Sequence, residues 1–144
     1  MSATSQLTPY ELLGGEAVLR QLVDRFYDEM ELDPKANSIR RMHAPNLGAA
    51  REKLFMFLSG WLGGPNLFVE KYGHPMLRAR HLPFAIGEAE RDQWVYCMLK
   101  AMQTIPMADE LRTHLEQAFW RTADFMRNKD ETQGLGQVSE REAV

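Results

Sequence analysis

The sequence predicts an all-α fold. Its apolar residues recur at helical spacing in four long stripes, no stretch keeps the alternation of a half-buried strand, and the breaks between stripes fall on Gly and Pro. At 144 residues and 44% hydrophobic content, the chain is long enough to bury one substantial core as a single domain.

A short first helix is expected over Pro9 to Leu13, and Gly14-Gly15 separates it from the second. Leu19, Leu22, Val23, Phe26, Tyr27 and Met30 fall on one face of that second helix, which ends near Asp33-Pro34. Leu47, Ala50, Leu54, Phe57, Leu58 and Trp61 form the next stripe, closed by Gly63-Gly64-Pro65 because that sequence does not continue a helix. A long connection follows, punctuated by Gly73, Pro75 and Pro83, in which the one helical segment expected is a short piece bearing His81. Trp94, Met98, Ala101, Met102 and Ile105 line the next helix, stopped by Pro106. Leu111, Leu115, Ala118, Phe119, Thr122, Phe125 and Met126 line the last. These elements place the domain at 9–127, with an N-terminal extension at 1–8 and a polar tail expected to be disordered at 128–144.

Charge and cysteine content exclude several classes. A formal net charge of −3 gives no reason to expect nucleic acid or an anionic membrane as partner. No segment approaches the roughly 20 apolar residues that span a bilayer. The first residues lack a basic segment leading into an apolar run, so a cytoplasmic protein is expected. The one cysteine, Cys97, cannot form an intrachain disulfide, sits on an apolar-rich helix and reads as a buried thiol. Scattered histidines and a single Cys give no structural zinc spacing. Glu110 and His114 stand alone, without the repeated Glu-x-x-His of a di-iron bundle.

His81 in Arg80-His81-Leu82-Pro83-Phe84 is the most informative residue. A histidine can bind a metal through one neutral ring nitrogen while a backbone carbonyl orients the other. Pro83 biases Leu82 away from helical angles, so a short helix should end near His81, where unpaired carbonyls can hold the ring. On spacing alone a lone histidine is more often structural or solvent-exposed than a ligand.

The order of several short motifs decides between those readings. Phe26-Tyr27, Leu58-Ser59-Gly60-Trp61-Leu62-Gly63-Gly64-Pro65, Tyr72-Gly73-His74-Pro75-Met76-Leu77-Arg78, Arg80-His81 and Glu90-Arg91-Asp92-Gln93-Trp94 occur in sequence. Together they resemble group II of the truncated haemoglobins, over about residues 9 to 127. The resemblance implies a globin-like, two-over-two helical sandwich holding haem b, with His81 as the iron's proximal ligand. On the distal side it implies a ligand pocket of Tyr27, His43, Trp94, Phe26, Ala50 and Leu54. There Tyr27 and Trp94 supply hydrogen-bond donors and His43, in Arg41-Met42-His43-Ala44-Pro45, adds a titratable group. Ala50, where longer globins carry a distal histidine, leaves room for a ligand. The haem is expected to touch Lys53, Leu54, Phe57, Tyr72, Met76, Leu77, Arg78, Arg80, Phe84, Trp94 and Met98, with Lys53 and Arg80 foremost for its propionates. His74 falls in the turn before the proximal segment and ranks below His81.

The implied function is reversible binding of oxygen and other diatomic ligands, serving oxygen, nitric-oxide or peroxide chemistry or oxygen transport. Dioxygenase, peroxidase-like and nitric-oxide-detoxifying activities are the enzymatic forms of that expectation. An unidentified reductase and a homodimer are the implied partners. The competing class is a haem-free globin-fold sensor or interaction module.

Overall fold

The computed structural model describes residues 7–129, so most of the N-terminal extension and residues 130–144 of the polar tail lie outside the described residues. Eight α-helices are present among them: α1 Pro9–Leu13, α2 Glu16–Leu32, α3 Asn37–Arg41, α4 Gly48–Trp61, α5 Leu67–Tyr72, α6 Leu77–His81, α7 Glu88–Gln103 and α8 Asp109–Phe125. No strand occurs among the described residues.

The helix ends follow from local chemistry. Thr8 caps α1: its Oγ1 accepts from Glu11 N at 3.1 Å while the Glu11 carboxylate accepts from Thr8 N at 3.0 Å, a reciprocal pair that satisfies two otherwise orphaned donors. The Gly63-Gly64-Pro65 stop has a tertiary reason as well as a local one. Gly63 holds a left-handed φ of 94°, and a Cβ on Gly64 would lie 2.5 Å from the Tyr10 ring, so α1 seats directly on the end of α4. Tyr10 N completes that contact by donating to Leu62 O at 2.9 Å. At the end of α7, Arg112 donates to the carbonyls of Met102 and Ile105 at 3.0 and 3.1 Å, placing a cation at the negative end of the helix dipole.

Two helix pairs build the core. α2 packs against α4, α7 against α8, and the pairs join where α2 meets α7. Leu19, Leu22, Val23, Phe26 and Met30 from α2 meet Cys97, Met98, Ala101 and Met102 from α7, all essentially inaccessible to water. At about 25 cal/mol per Å² of apolar surface, this shared interior is the main stabilising contribution. Cys97 is a buried thiol, and burial pushes its pKa up to about 12, which removes it as a nucleophile. Arg51 ties α4 to α2 through Asp24 at 3.1 Å and Asp28 at 2.9 Å, and Tyr96 on α7 donates to Asp33 at 2.6 Å at the end of α2.

The structure corrects the expected connections. The stretch after Gly63-Gly64-Pro65 holds α5 as well as the His81 segment, and a 3-10 turn at Pro34–Ala36 runs into α3. Both short helices bury a single side chain, Phe68 in α5 and Ile39 in α3, so neither carries the repeating stripe that marks a helix in a sequence.

Candidate functional site

α6 presents His81 without burying any of its own residues, so packing does not hold it in place. Hydrogen bonds do. Arg78 reaches the last turn of α8 and donates to Phe125 O at 3.1 Å and Arg127 O at 2.9 Å. Asn128 donates to His81 O at 3.2 Å and to Phe84 O at 2.8 Å, while its own Oδ1 accepts from Ile86 N at 3.0 Å. Asn128 and Lys129 therefore belong to the folded unit, although their polar character groups them with the tail at 128–144. Lys129 N donates to Ile86 O at 3.1 Å.

We expect Asn128→Ala to lower the unfolding free energy by about 1 to 3 kcal/mol, because it orphans several partners around the His81 segment at once. Urea denaturation of the chain without cofactor checks this. An unchanged midpoint and slope would show that these bonds hold nothing.

Within α6 the His81 ring is fixed by its own helix. Nδ1 lies 2.7 Å from Leu77 O. A carbonyl only accepts, so Nδ1 carries a proton, and in the neutral form of the ring the lone pair lies on Nε2. His81 lines a cavity of about 430 Å³, within the roughly 300 to 1,000 Å³ of typical ligand pockets. α4 supplies one wall with Ala50, Lys53, Leu54 and Phe57, α7 another with Trp94, and α8 a third with Phe119, Thr122 and Met126. Tyr27 of α2 and His43, on the turn after α3, close one end.

Inside this largely apolar space the polar groups are few and their protein partners fewer. Tyr27 is 5% exposed, and no hydrogen bond within the described residues engages its hydroxyl. Burial drives its pKa well above the ordinary phenol range, with Arg51 opposing weakly, so the group stays protonated and can donate. Trp94 also lines the cavity, and no hydrogen bond among the described residues engages its indole N–H. Phe26 stands behind both, its ring 4.9 Å from that of Tyr27 and 5.1 Å from that of Trp94. His43 repeats the arrangement of His81: its Nδ1 lies 2.8 Å from Ile39 O, one helical turn back. Burial lowers the His43 pKa, the Ile39 carbonyl opposing and the Arg40 and His81 charges adding to the fall, so the ring is neutral at pH 7 with its lone pair on Nε2. In that form Nδ1 donates to Ile39 O and Nε2 can only accept. Donation from Nε2 would require protonation, which burial moves to lower pH.

Of the residues read from the sequence, the structure brings Tyr27, His43, Ala50, Lys53, Leu54, Phe57, Leu77, His81, Phe84 and Trp94 to one cavity. Six others lie off its wall. Phe26 and Met98 are wholly buried in the core behind it, because the stripe they share with Tyr27 and Trp94 is wider than the cavity. Met76 is 58% exposed in the left-handed turn that starts α6. The Arg78 guanidinium is committed to the end of α8, and Arg80 donates to Pro75 O and covers the Phe68 ring. Tyr72 packs on Phe68 with Lys53 Nζ 5.8 Å from its ring, which puts Tyr72 and Lys53 beside the mouth. His74 is exposed in the turn after α5 and lines no part of the cavity.

The wall residues that sequence reasoning missed come mainly from α8 and from Ile86 and Met42. Thr122 and Met126 sit on the α8 stripe and were visible as core. That they border a cavity is set by α6 standing off from α8, which no periodicity reports. A second, shallower groove of about 400 Å³ backs onto Trp61 and Leu77 and contains neither histidine.

The donor set fits a haem. An imidazole nitrogen with a free lone pair faces an apolar slot, protonated donors stand at its far end, and a lysine waits at the mouth.

Comparison with known proteins agrees. The family model for bacterial-like globins matches residues 8–128. The chain is 40% identical over 125 residues to the group 2 truncated hemoglobin YjbI of Bacillus subtilis (strain 168), covering 87% of this chain and 92% of that one. Among solved structures it is similar to the cold-adapted truncated hemoglobin of the Antarctic marine bacterium Pseudoalteromonas haloplanktis TAC125. The TM-score is 0.84 at 49% identity, over 86% of this chain and all (100%) of the other. It is also similar to the truncated oxygen-avid haemoglobin from Bacillus subtilis, with a TM-score of 0.78 at 40% identity over 85% of this chain and 100% of the other.

Proposed function

This chain belongs to the bacterial-like globin family, and from that premise we propose that it holds haem b in the cavity, with His81 as proximal ligand, and binds oxygen and other diatomic gases there. The observation that carries the reading is the His81 imidazole, oriented by Leu77 O at 2.7 Å and lining a cavity of about 430 Å³. Non-covalently held haem suits the chain because Cys97 is buried in the core and lines no part of that cavity, leaving no thiol for attachment.

When bound, ferrous haem supplies reversible coordination of a diatomic gas. The chain's own residues set how that gas is held. Tyr27 and Trp94 aim protonated donors into a water-poor space, where a hydrogen bond to a partly charged oxygen atom is strong. Ala50 leaves steric room on the α4 wall. Lys53 offers a cation to a propionate, with Tyr72 beside it, and Arg80, over the Phe68 ring that packs on Tyr72, is the second candidate.

The haem-free sensor alternative gives the Tyr27 hydroxyl, the Trp94 indole N–H and the second ring nitrogen of His81 no evident task in the cavity that all three residues line. Exposing the reduced protein to oxygen tests the proposal. A spectral change that reverses under argon is expected, and immediate oxidation to the ferric form without a reversible intermediate spectrum would contradict gas binding. No helix among the described residues is long and apolar enough to cross a membrane. We place the protein in the cytoplasm, served by a reductase that returns its iron to the ferrous state.

A further inference from the structure

The shallower groove of about 400 Å³ shares a wall with the main cavity. Trp61, Leu77, Thr122 and Met126 line both spaces, while Ala118, Arg121 and Phe125 line the groove alone. Apart from Arg121 and Thr122 these residues are apolar, and Phe125 remains 63% exposed. No hydrogen bond, ion pair or ring contact among the described residues engages the Arg121 guanidinium. The carboxylate three positions further along α8, Asp124, already accepts from Arg91 at 2.9 Å and from Arg127 at 2.7 Å. Arg78, Arg91 and Arg127, the other arginines at this end of α8, are each committed to partners. Arg121 is thus a cation on a mainly apolar groove with no anion of the described chain to meet it.

We propose that this groove binds an amphipathic monocarboxylate of the medium-chain fatty-acid class, its carboxylate paired with Arg121 and its hydrocarbon chain on the apolar wall, and that the occupant acts on His81 through Leu77. The planar guanidinium matches a carboxylate in charge and shape, and one arginine balances one negative charge. The volume suits a small molecule, lying in the lower part of the roughly 300 to 1,000 Å³ of ligand pockets. Leu77 links the groove to the proximal residue: it lines the groove, and its carbonyl accepts from His81 Nδ1 at 2.7 Å. Arg78, next in the chain, donates at 3.1 Å to the carbonyl of Phe125, another groove residue. An occupant touching Leu77 and Phe125 therefore bears on the bonds that orient the His81 ring and anchor α6. Binding in the groove stands on the groove's own residues, and the action on His81 rests on the haem reading above.

The test titrates decanoate, kept below its micelle concentration, into the haemin-reconstituted full chain by calorimetry. Saturation at one decanoate per chain is expected, with affinity falling as salt is raised. Acetate, which has the charge without the chain, and decyltrimethylammonium, which has the chain with the opposite charge, should give no measurable binding. Arg121→Gln is expected to weaken decanoate binding about fivefold, the upper end for an exposed ion pair, and Ala118→Trp, which fills the groove, to abolish it. Neither residue lines the main cavity, so a carbon monoxide complex with the parent's spectrum shows that each variant has kept its pocket. Resonance Raman reads the action on His81: the iron–histidine stretch of the ferrous parent should shift as decanoate saturates, and should stay fixed in Ala118→Trp. A parent without saturable binding overturns the proposal. So does parent-like affinity in both variants, since decanoate then sits elsewhere. Binding that both substitutions weaken, with an unmoved stretch, overturns the action on His81 and keeps the site. A parent that forms no Soret band overturns the haem reading, an outcome distinct from these, and the calorimetry still decides the groove.

Discussion

Replacing His81 with alanine is expected to be the most damaging single change to this protein. His81 is oriented by Leu77 O, and the α6 segment is tied to the end of α8 and the residues after it by Arg78 and Asn128. Altering the groups that merely orient a metal ligand commonly costs 10- to 100-fold in affinity, so removing the ligand should speed haemin loss on the order of a hundredfold or more. Competition with an excess of a haem-free acceptor protein measures the rate. His74→Ala serves as the control. That side chain is exposed, lines no part of the cavity and should leave spectrum and retention unchanged. Parent-like spectra and haemin retention in His81→Ala would show that the proximal assignment is wrong.

The second large effect is on oxygen release. Tyr27 and Trp94 each present a donor without a protein partner, both braced on Phe26, and bound oxygen carries partial negative charge. A hydrogen bond to a charged acceptor contributes about 1.5 to 3 kcal/mol, which corresponds to roughly ten- to a hundredfold in rate. Tyr27→Phe and Trp94→Phe should therefore each speed oxygen dissociation by that factor. The double substitution should fall short of the product of the two, because the donors share one acceptor. Carbon monoxide carries less charge when bound, so its dissociation should respond less. Stopped-flow rates equal to the parent's in both single variants would remove Tyr27 and Trp94 from the ligand pocket while leaving His81 in place.

The long helices were legible in the sequence because each buries one face for several turns. Leu19 to Met30 on α2 and Leu111 to Phe119 on α8 are continuous stripes, and continuous stripes are what periodicity detects. α3 and α5 were not legible, since a helix of one turn that buries only Ile39 or only Phe68 shows no period. The site divides the same way. His81, Tyr27 and Trp94 could be picked out because the chain order of several short motifs matched a family, and the α4 wall followed from its stripe. Asn128 was invisible: nothing local distinguishes it from the polar residues that follow, and its role arises from bonds to residues 42 to 47 positions earlier in the chain. The bonds of Arg78 were hidden for the opposite reason. It lies beside the pocket in sequence, yet the open carbonyls at the end of α8 claim its guanidinium. His43 lines the cavity, and its tautomer depends on a hydrogen bond to Ile39 O that the sequence does not display.

Haemin titration of the purified full chain, followed in the Soret region, tests the central claim most directly. The cavity and its single proximal imidazole predict saturation at one haemin per chain, with a sharp Soret band clearly displaced from that of free haemin. A spectrum that stays the sum of protein and free haemin, with no break at one equivalent, would contradict the account at its root.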